Sequence, residues 1–282
     1  IDTSVLTATG QTLEENLNWW EDSERRHDVR KYLRDVDGID PDNVIMSPEN
    51  ASKKNLTSTV TFPMGNIAPE GSVIKSTAID PAVVDDDNVY RKLGPARVFR
   101  SERGAMAAIK SRDEDQKIKA GDIMVVTCGG PLGTGMEEVY QLTAALKHLS
   151  YGKQVALITD ARFSGVSTGA CIGHVGPEAL AGGPIGRVED GDMIEIIVDR
   201  KNLSGSLNVV GIDGEVKGAD WGTAELEKRG EPSDLAPHPQ LPDDSRLWAA
   251  LQSASGGTWG GCVFDVDSIV ETIEAGKKAL GR

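Results

Sequence analysis

Glu138 and Ser164 are the two side chains whose types and settings suggest chemistry. Glu138 ends a glycine-rich stretch, Gly-Gly-Pro-Leu-Gly-Thr-Gly-Met-Glu-Glu over residues 129–138. Ser164 follows an apolar run of strand length, residues 155–158, through the polar turn Thr159-Asp160 and then Ala161-Arg162-Phe163. A buried strand that opens into a loop of glycines and hydroxyls presents reactive groups at a sheet edge. The chain reads as built to bring these two residues to one site.

Each has more than one reading. A carboxylate in the first turn of a helix is favourable there without any further role. Its oxygens also suit a hard divalent cation such as Mg²⁺, and Glu137 is the adjacent alternative. Ser164 reads as a structural turn serine or as a nucleophile with His174 as its partner. Against the nucleophile, G-x-S-x-G is absent because Arg162 stands at its first position. As a third reading, a nearby cation stabilises the alkoxide and makes a serine a usable base. The glycines of residues 129–135 lack the G-K-[ST] ending of a phosphate loop.

Several elements must position these residues. Met136, Val139, Tyr140, Thr143, Leu146 and Leu149 recur at helical spacing with Gly152 beyond them, which predicts a helix over 136–149 with Glu138 in its first turn. Strands are predicted over 72–79 with Lys75 inside, over 123–127, 155–158 and 193–198, and at 203–210. A turn and short strand are expected at 94–99. Ser101 caps a helix over 102–110, Thr12 and Glu15 form a capping box, and Asp265 or Asp267 caps a last helix over 266–280. Asp85-Asp86-Asp87 reads as a solvated run, because three consecutive side chains do not converge on a metal. The fold class is α/β, a mixed barrel-like sheet flanked by helices rather than regular βαβ repeats.

Thirty basic and 44 acidic residues give the 282-residue chain a net charge of −14. That balance argues against nucleic acid or an anionic membrane as partner. Cys128, Cys171 and Cys262 have no metal-ligand or disulfide spacing, so a reducing, cytoplasmic setting is expected. No apolar run reaches membrane-spanning length, and no signal-peptide pattern opens the chain. Ile1 stands where a methionine would begin a complete protein, so a fragment or processed chain is expected.

Five motifs occur in order: Gly65-Asn66-Ile67-Ala68-Pro69-Glu70-Gly71, Gly94-Pro95-Ala96-Arg97-Val98-Phe99, the 130–138 loop, residues 156–165, and Gly173-His174-Val175-Gly176-Pro177-Glu178-Ala179 with Gly182-Gly183-Pro184-Ile185. Together they resemble the C-terminal domain of the dihydroxy-acid and sugar-acid dehydratase family, over roughly residues 1–211, and the wording is nearest its xylonate branch. Residues 128–138 depart from the family's usual Gly-Pro-Gly-Met-Pro-Glu-Met. Ala161 and Val166 stand where many members have glycine.

The resemblance implies a lyase that takes water from a 2,3-dihydroxy acid to give a 2-keto-3-deoxy acid, with Mg²⁺ and an iron–sulfur cluster as Lewis acids. The family's metal-binding glutamate falls on Glu138, and the serine that takes the C2 proton falls on Ser164. Arg162, Ser167, Thr168 and Lys75 are expected substrate contacts. The cluster cysteines and other Mg²⁺ ligands, including a lysine that can be carbamylated, belong to an N-terminal domain with no counterpart here, so the three cysteines are read as structural. A barrel-and-helix domain over 1–212, a branch-specific extension over 213–282 on the same domain, and a homodimer or homotetramer when full length are expected. The chain alone is expected to be inactive. Two rivals are a non-catalytic sugar-acid-binding or regulatory domain and a serine hydrolase. Within the dehydratases, 6-phosphogluconate or a branched dihydroxy acid is the alternative substrate.

Overall fold

Two four-residue runs, Ile123–Val126 and Ala156–Thr159, are buried at every position. Strands behave so when they lie between others with both sheet faces covered. A computed structural model describes residues 1–53, 59–257 and 263–282 of the chain. These form two compact units, Ile1–Thr57 and Ser58–Arg282.

The first unit holds α1 (Leu13–Asp22), α2 (Glu24–Asp35) and α3 (Pro48–Lys53). Thr12 and Glu15 make the reciprocal capping box their spacing predicts, and Ser23 caps α2.

The second unit is built on one sheet. Its strands are β1 (Val60–Thr61), β2 (Gly71–Lys75), β3 (Val89–Phe99), β4 (Ile123–Val126), β5 (Ala156–Thr159), β6 (Ala170–Gly176), β7 (Asp192–Asp199), β8 (Ser204–Ile212) and β9 (Glu215–Val216), in the order β1-β2-β6-β5-β4-β3-β7-β8-β9. β3 to β6 run parallel to their neighbours, and the flanking pairs are antiparallel. After β1, Met64 bridges Ser206 of β8, with Leu207 N–H donating to the Met64 carbonyl at 3.1 Å. This bridge curls the sheet back on itself, the barrel-like α/β arrangement expected.

Alternation sorts the core into two layers. Ile123, Val125, Ile158, Ile172, Ile194 and Val209 share the cluster inside the curl. Met124, Val126 and Leu157 face outward onto the helices α4 (Glu102–Lys110) and α6 (Tyr140–Lys147), against Ile109, Leu142 and Leu146. Ser101 caps α4 by accepting from Gly104 N–H, as predicted.

The strand expected over 72–79 ends at Lys75 and gives way to a 3₁₀ turn over Ser76–Ala78, and three further expectations change. The helix over 136–149 shrinks to α6, preceded by the short α5 (Pro131–Thr134). Gly135 and Met136 take left-handed φ values of 73° and 69°, which ends α5. Val139 N–H then donates to the Arg162 carbonyl at 3.0 Å, so Glu138 sits in a backbone bridge instead of a helical turn, and the helix starts only after Val139. Glu138 is therefore not in a helix, and Tyr140 is exposed while Leu142 fills the core. Second, residues 94–99 are part of the eleven-residue strand β3. Pro95 stands where β3 passes from antiparallel pairing with β7 to parallel pairing with β4, so its missing N–H falls at the change of partner. Third, β3-α4-β4 and β4-α6-β5 are successive βαβ units, because the helices at 102–110 and 140–147 have room to cross over.

After β9, α7 (Ala219–Lys228) buries Leu226. Arg229, just past α7, holds the buried Asp192 of β7 through two bonds of 2.6 and 2.9 Å. Then come α8 (Asp243–Ala254) and α9 (Val266–Ala279), the latter capped by Asp265. No helix among the described residues is long and apolar enough to cross a membrane. Asp85 and Asp87 both pair with the exposed Arg91. Cys262 lies outside the described residues.

Candidate active site

Loops that leave the C-terminal ends of parallel strands are where α/β sheets place their ligands. Glu138 lies in the loop after β4. Ser164 lies in residues 160–169, which connect β5 directly to its parallel neighbour β6 with no helix between. The fold joins these loops through the backbone: Glu138 and Arg162 form a parallel bridge, two residues before Ser164.

Ser164 is half-buried. Among the described residues its hydroxyl accepts only a long bond from Val166 N–H, 3.4 Å, while its carbonyl accepts from Ser167 N–H at 2.9 Å. Lys75, the last residue of β2, donates from Nζ to the Gly165 carbonyl at 2.6 Å. A cationic side chain thus holds the turn that carries Ser164. Ser167 is buried and its hydroxyl accepts from that of Thr143 at 3.2 Å. Thr168 is exposed and lines a separate cavity of about 570 Å³ with Thr143 and Lys153. Arg162 is exposed. No hydrogen bond links His174 to Ser164. The His174 ring instead stands edge-on to Phe163 at 6.1 Å, and burial, then Arg162, lowers its pKa.

Two buried carboxylates outside the predicted set support these loops. Asp160 is fully buried and accepts from Cys128, Gly129 and Ala179 N–H at 3.2, 2.9 and 3.0 Å. Burial raises its pKa against these three donors. Glu178 accepts from Leu132 N–H with both oxygens, at 3.0 and 3.1 Å. A Cβ at Gly130 would strike the Glu178 carboxylate, so the glycine is what lets it approach the loop. Asp160 follows a buried strand and Glu178 follows Gly-Pro, weak signals that point to no partner.

Burial, ahead of any other cause, raises the Glu178 pKa to about 7. A carboxyl with a raised folded-state pKa contributes stability below its ordinary value, and that stability is lost as pH rises through about 7. At most about 3 kcal/mol is involved. Glu178→Gln is expected to flatten this decline, so the variant gains relative to wild type between pH 5 and 8 in denaturant unfolding. An unchanged difference between the two proteins at both pH values refutes the assignment.

Glu138 is exposed and lines a cavity of about 490 Å³ with Arg103, Cys128, Thr134, Glu137 and His238. Ser164 is not in its wall. Among the described residues no three of His, Cys, Asp and Glu cluster to hold a metal. An exposed carboxylate fits one position around a hard cation such as Mg²⁺, with the other ligands supplied from elsewhere. The two cysteines among the described residues do not suit an iron–sulfur cluster: Cys128 and Cys171 are buried, and desolvation raises both thiols, Cys171 to about 12.

The chain belongs to the dihydroxy-acid/6-phosphogluconate dehydratase family, whose C-terminal domain profile matches residues 43–234. Within it, 62% of residues are identical to D-xylonate dehydratase YagF of Escherichia coli (strain K12) over 98% of this chain and 42% of that protein. D-xylonate dehydratase YjhG of the same strain is 59% identical over 94% of this chain and 40% of its own length. A dihydroxy-acid dehydratase from Renibacterium salmoninarum is 39% identical over 71% of this chain and 30% of its own length. The chain thus spans about two fifths of the xylonate dehydratases it matches.

Proposed function

We propose that this chain is the C-terminal part of a sugar-acid dehydratase that converts a 2,3-dihydroxy acid such as D-xylonate to a 2-keto-3-deoxy acid. The observation that carries the reading is 62% identity to a D-xylonate dehydratase over nearly the whole chain. Ser164 is the base at C2 and Glu138 a Mg²⁺ ligand, supported by the backbone bridge that joins their loops. Residues 213–282 are an extension of the 1–212 domain that is specific to the branch. The remaining metal ligands and the iron–sulfur cluster belong to an N-terminal domain, in a cytoplasmic homodimer or homotetramer.

A C2 proton beside a carboxylate is weakly acidic, and a bound cation supplies the positive charge that stabilises both alkoxide and enolate. The Ser164 alkoxide takes the C2 proton, the C2–C3 double bond forms, and the C3 hydroxyl leaves as water with the proton Ser164 has taken, which restores the alkoxide. The enol then gains a proton at C3 to become the ketone. Arg162 contacts the substrate carboxylate in this reading, supported by its bridge to Glu138, while Ser167 braces the loop through its bond from Thr143.

Lys75 contributes charge through the turn rather than direct chemistry. Lys75→Met is expected to cut kcat about tenfold and to move the acid limb of the pH–rate profile upward, because the alkoxide loses a neighbouring cation. Lys75→Arg is expected to restore most of the rate. An unshifted profile in Lys75→Met refutes this role.

The direct test is D-xylonate dehydration by the metal-loaded full-length protein, with 2-keto-3-deoxy acid as the readout. Formation of that product supports the reading. A loaded protein that dehydrates a branched dihydroxy acid but no sugar acid favours the activity named for the relatives at 39–40% identity. One that dehydrates neither leaves a binding domain.

A further inference from the structure

The cavity beside Glu138 has one wall built from outside the family's common sequence. The family match ends at residue 234, and Ala236, Pro237, His238 and Pro239 line the cavity immediately beyond. This strap is fastened at both ends. Asp234 takes two bonds from Arg100, at 2.9 and 3.3 Å, just past the end of β3. His238 N–H donates to the Gly133 carbonyl at 2.8 Å, in the short helix α5 ahead of Glu138.

The sequence stiffens what the bonds fasten. Pro237 and Pro239 each fix one φ, and each disfavours helix at the residue before it, so the helical region is disfavoured at Ala236 and His238. His238 Nδ1 accepts from Gln240 N–H at 3.2 Å, which leaves the neutral ring's proton on Nε2. An exposed imidazole with its donor free, on a preorganised strap in the wall that holds a candidate metal ligand, is suited to recognise a hydroxyl.

Resting on the sugar-acid reading above, we infer that the 234–239 strap determines specificity. His238 Nε2–H donates to a hydroxyl of the sugar acid beyond C3. A 2,3-dihydroxy acid without such hydroxyls leaves His238 unused. The strap lies beyond the family match, as expected of a device that separates polyhydroxylated acids from the family's other substrates.

The test uses the full-length, metal-loaded protein, with D-xylonate as substrate and glycerate, which has no carbon beyond C3, as competitive inhibitor. His238→Ala is expected to raise KM for D-xylonate about tenfold, with kcat and the glycerate inhibition constant within twofold of wild type. His238→Gln, which keeps a side-chain N–H donor, is expected to recover most of the loss. An unchanged KM in His238→Ala, or equal weakening of both ligands, overturns the inference. A wild-type protein that makes no 2-keto-3-deoxy acid defeats the function itself, so the two failures are separable.

Discussion

Ser164→Ala is expected to lower kcat for D-xylonate dehydration about a thousandfold in the full-length protein, with KM changed little. Proton transfer by a positioned group contributes roughly 10²–10⁴, and alanine can neither lose nor gain the proton. The substitution is clean for a structural reason. Among the described residues the Ser164 hydroxyl accepts one long bond of 3.4 Å and makes no other, and the side chain is only half-buried. Its removal therefore costs under about 1 kcal/mol of stability. Metal content and thermal midpoint should match wild type, which separates a lost base from a lost fold. A variant with more than a tenth of wild-type kcat means that another group takes the C2 proton. A phosphonate that labels Ser164 would favour the hydrolase alternative, although no hydrogen bond joins His174 to it.

What the sequence made legible follows the range of the interactions. Helix α4 begins where Ser101 predicts and α9 where Asp265 does, because a cap and its N–H partner lie three residues apart. β7 and β8 follow their β-branched runs for the same local reason. The helix expected over 136–149 failed at its start, where pairing with Arg162, a residue more than twenty positions on, outweighed periodicity. Glu138 and Ser164 were legible as motif residues expected at one site, whereas the backbone bridge from Glu138 to Arg162 that joins their loops was not. Lys75 was legible as an expected substrate contact, but its bond to the Gly165 carbonyl, 90 residues away, was not. Asp160 was visible only as a polar residue after a strand, since its partners lie 32, 31 and 19 residues away.

Those distances make Asp160→Ala the most damaging substitution expected for stability. The carboxylate ties together the end of β5, the Cys128-Gly129 start of the loop toward Glu138, and Ala179 after β6. Alanine leaves three N–H donors without their acceptor, at about 1–3 kcal/mol for each that water cannot reach. Cys128 is already held at a left-handed φ of 66°, which a non-glycine residue adopts only under constraint. The expected loss is about 4 kcal/mol or more, within the range reached only by a few named mechanisms. Asp160→Asn separates the geometry from the charge. Its single carbonyl oxygen can replace Oδ2, which serves Cys128 and Ala179, but the amide nitrogen then faces Gly129 N–H, donor against donor. It is expected to cost about half as much as alanine. Denaturant unfolding of the three proteins tests the ranking. If alanine unfolds within 1 kcal/mol of wild type, the loops are held by their own packing and Asp160 is incidental. If asparagine is as harmful as alanine, the negative charge matters more than the count of accepted bonds.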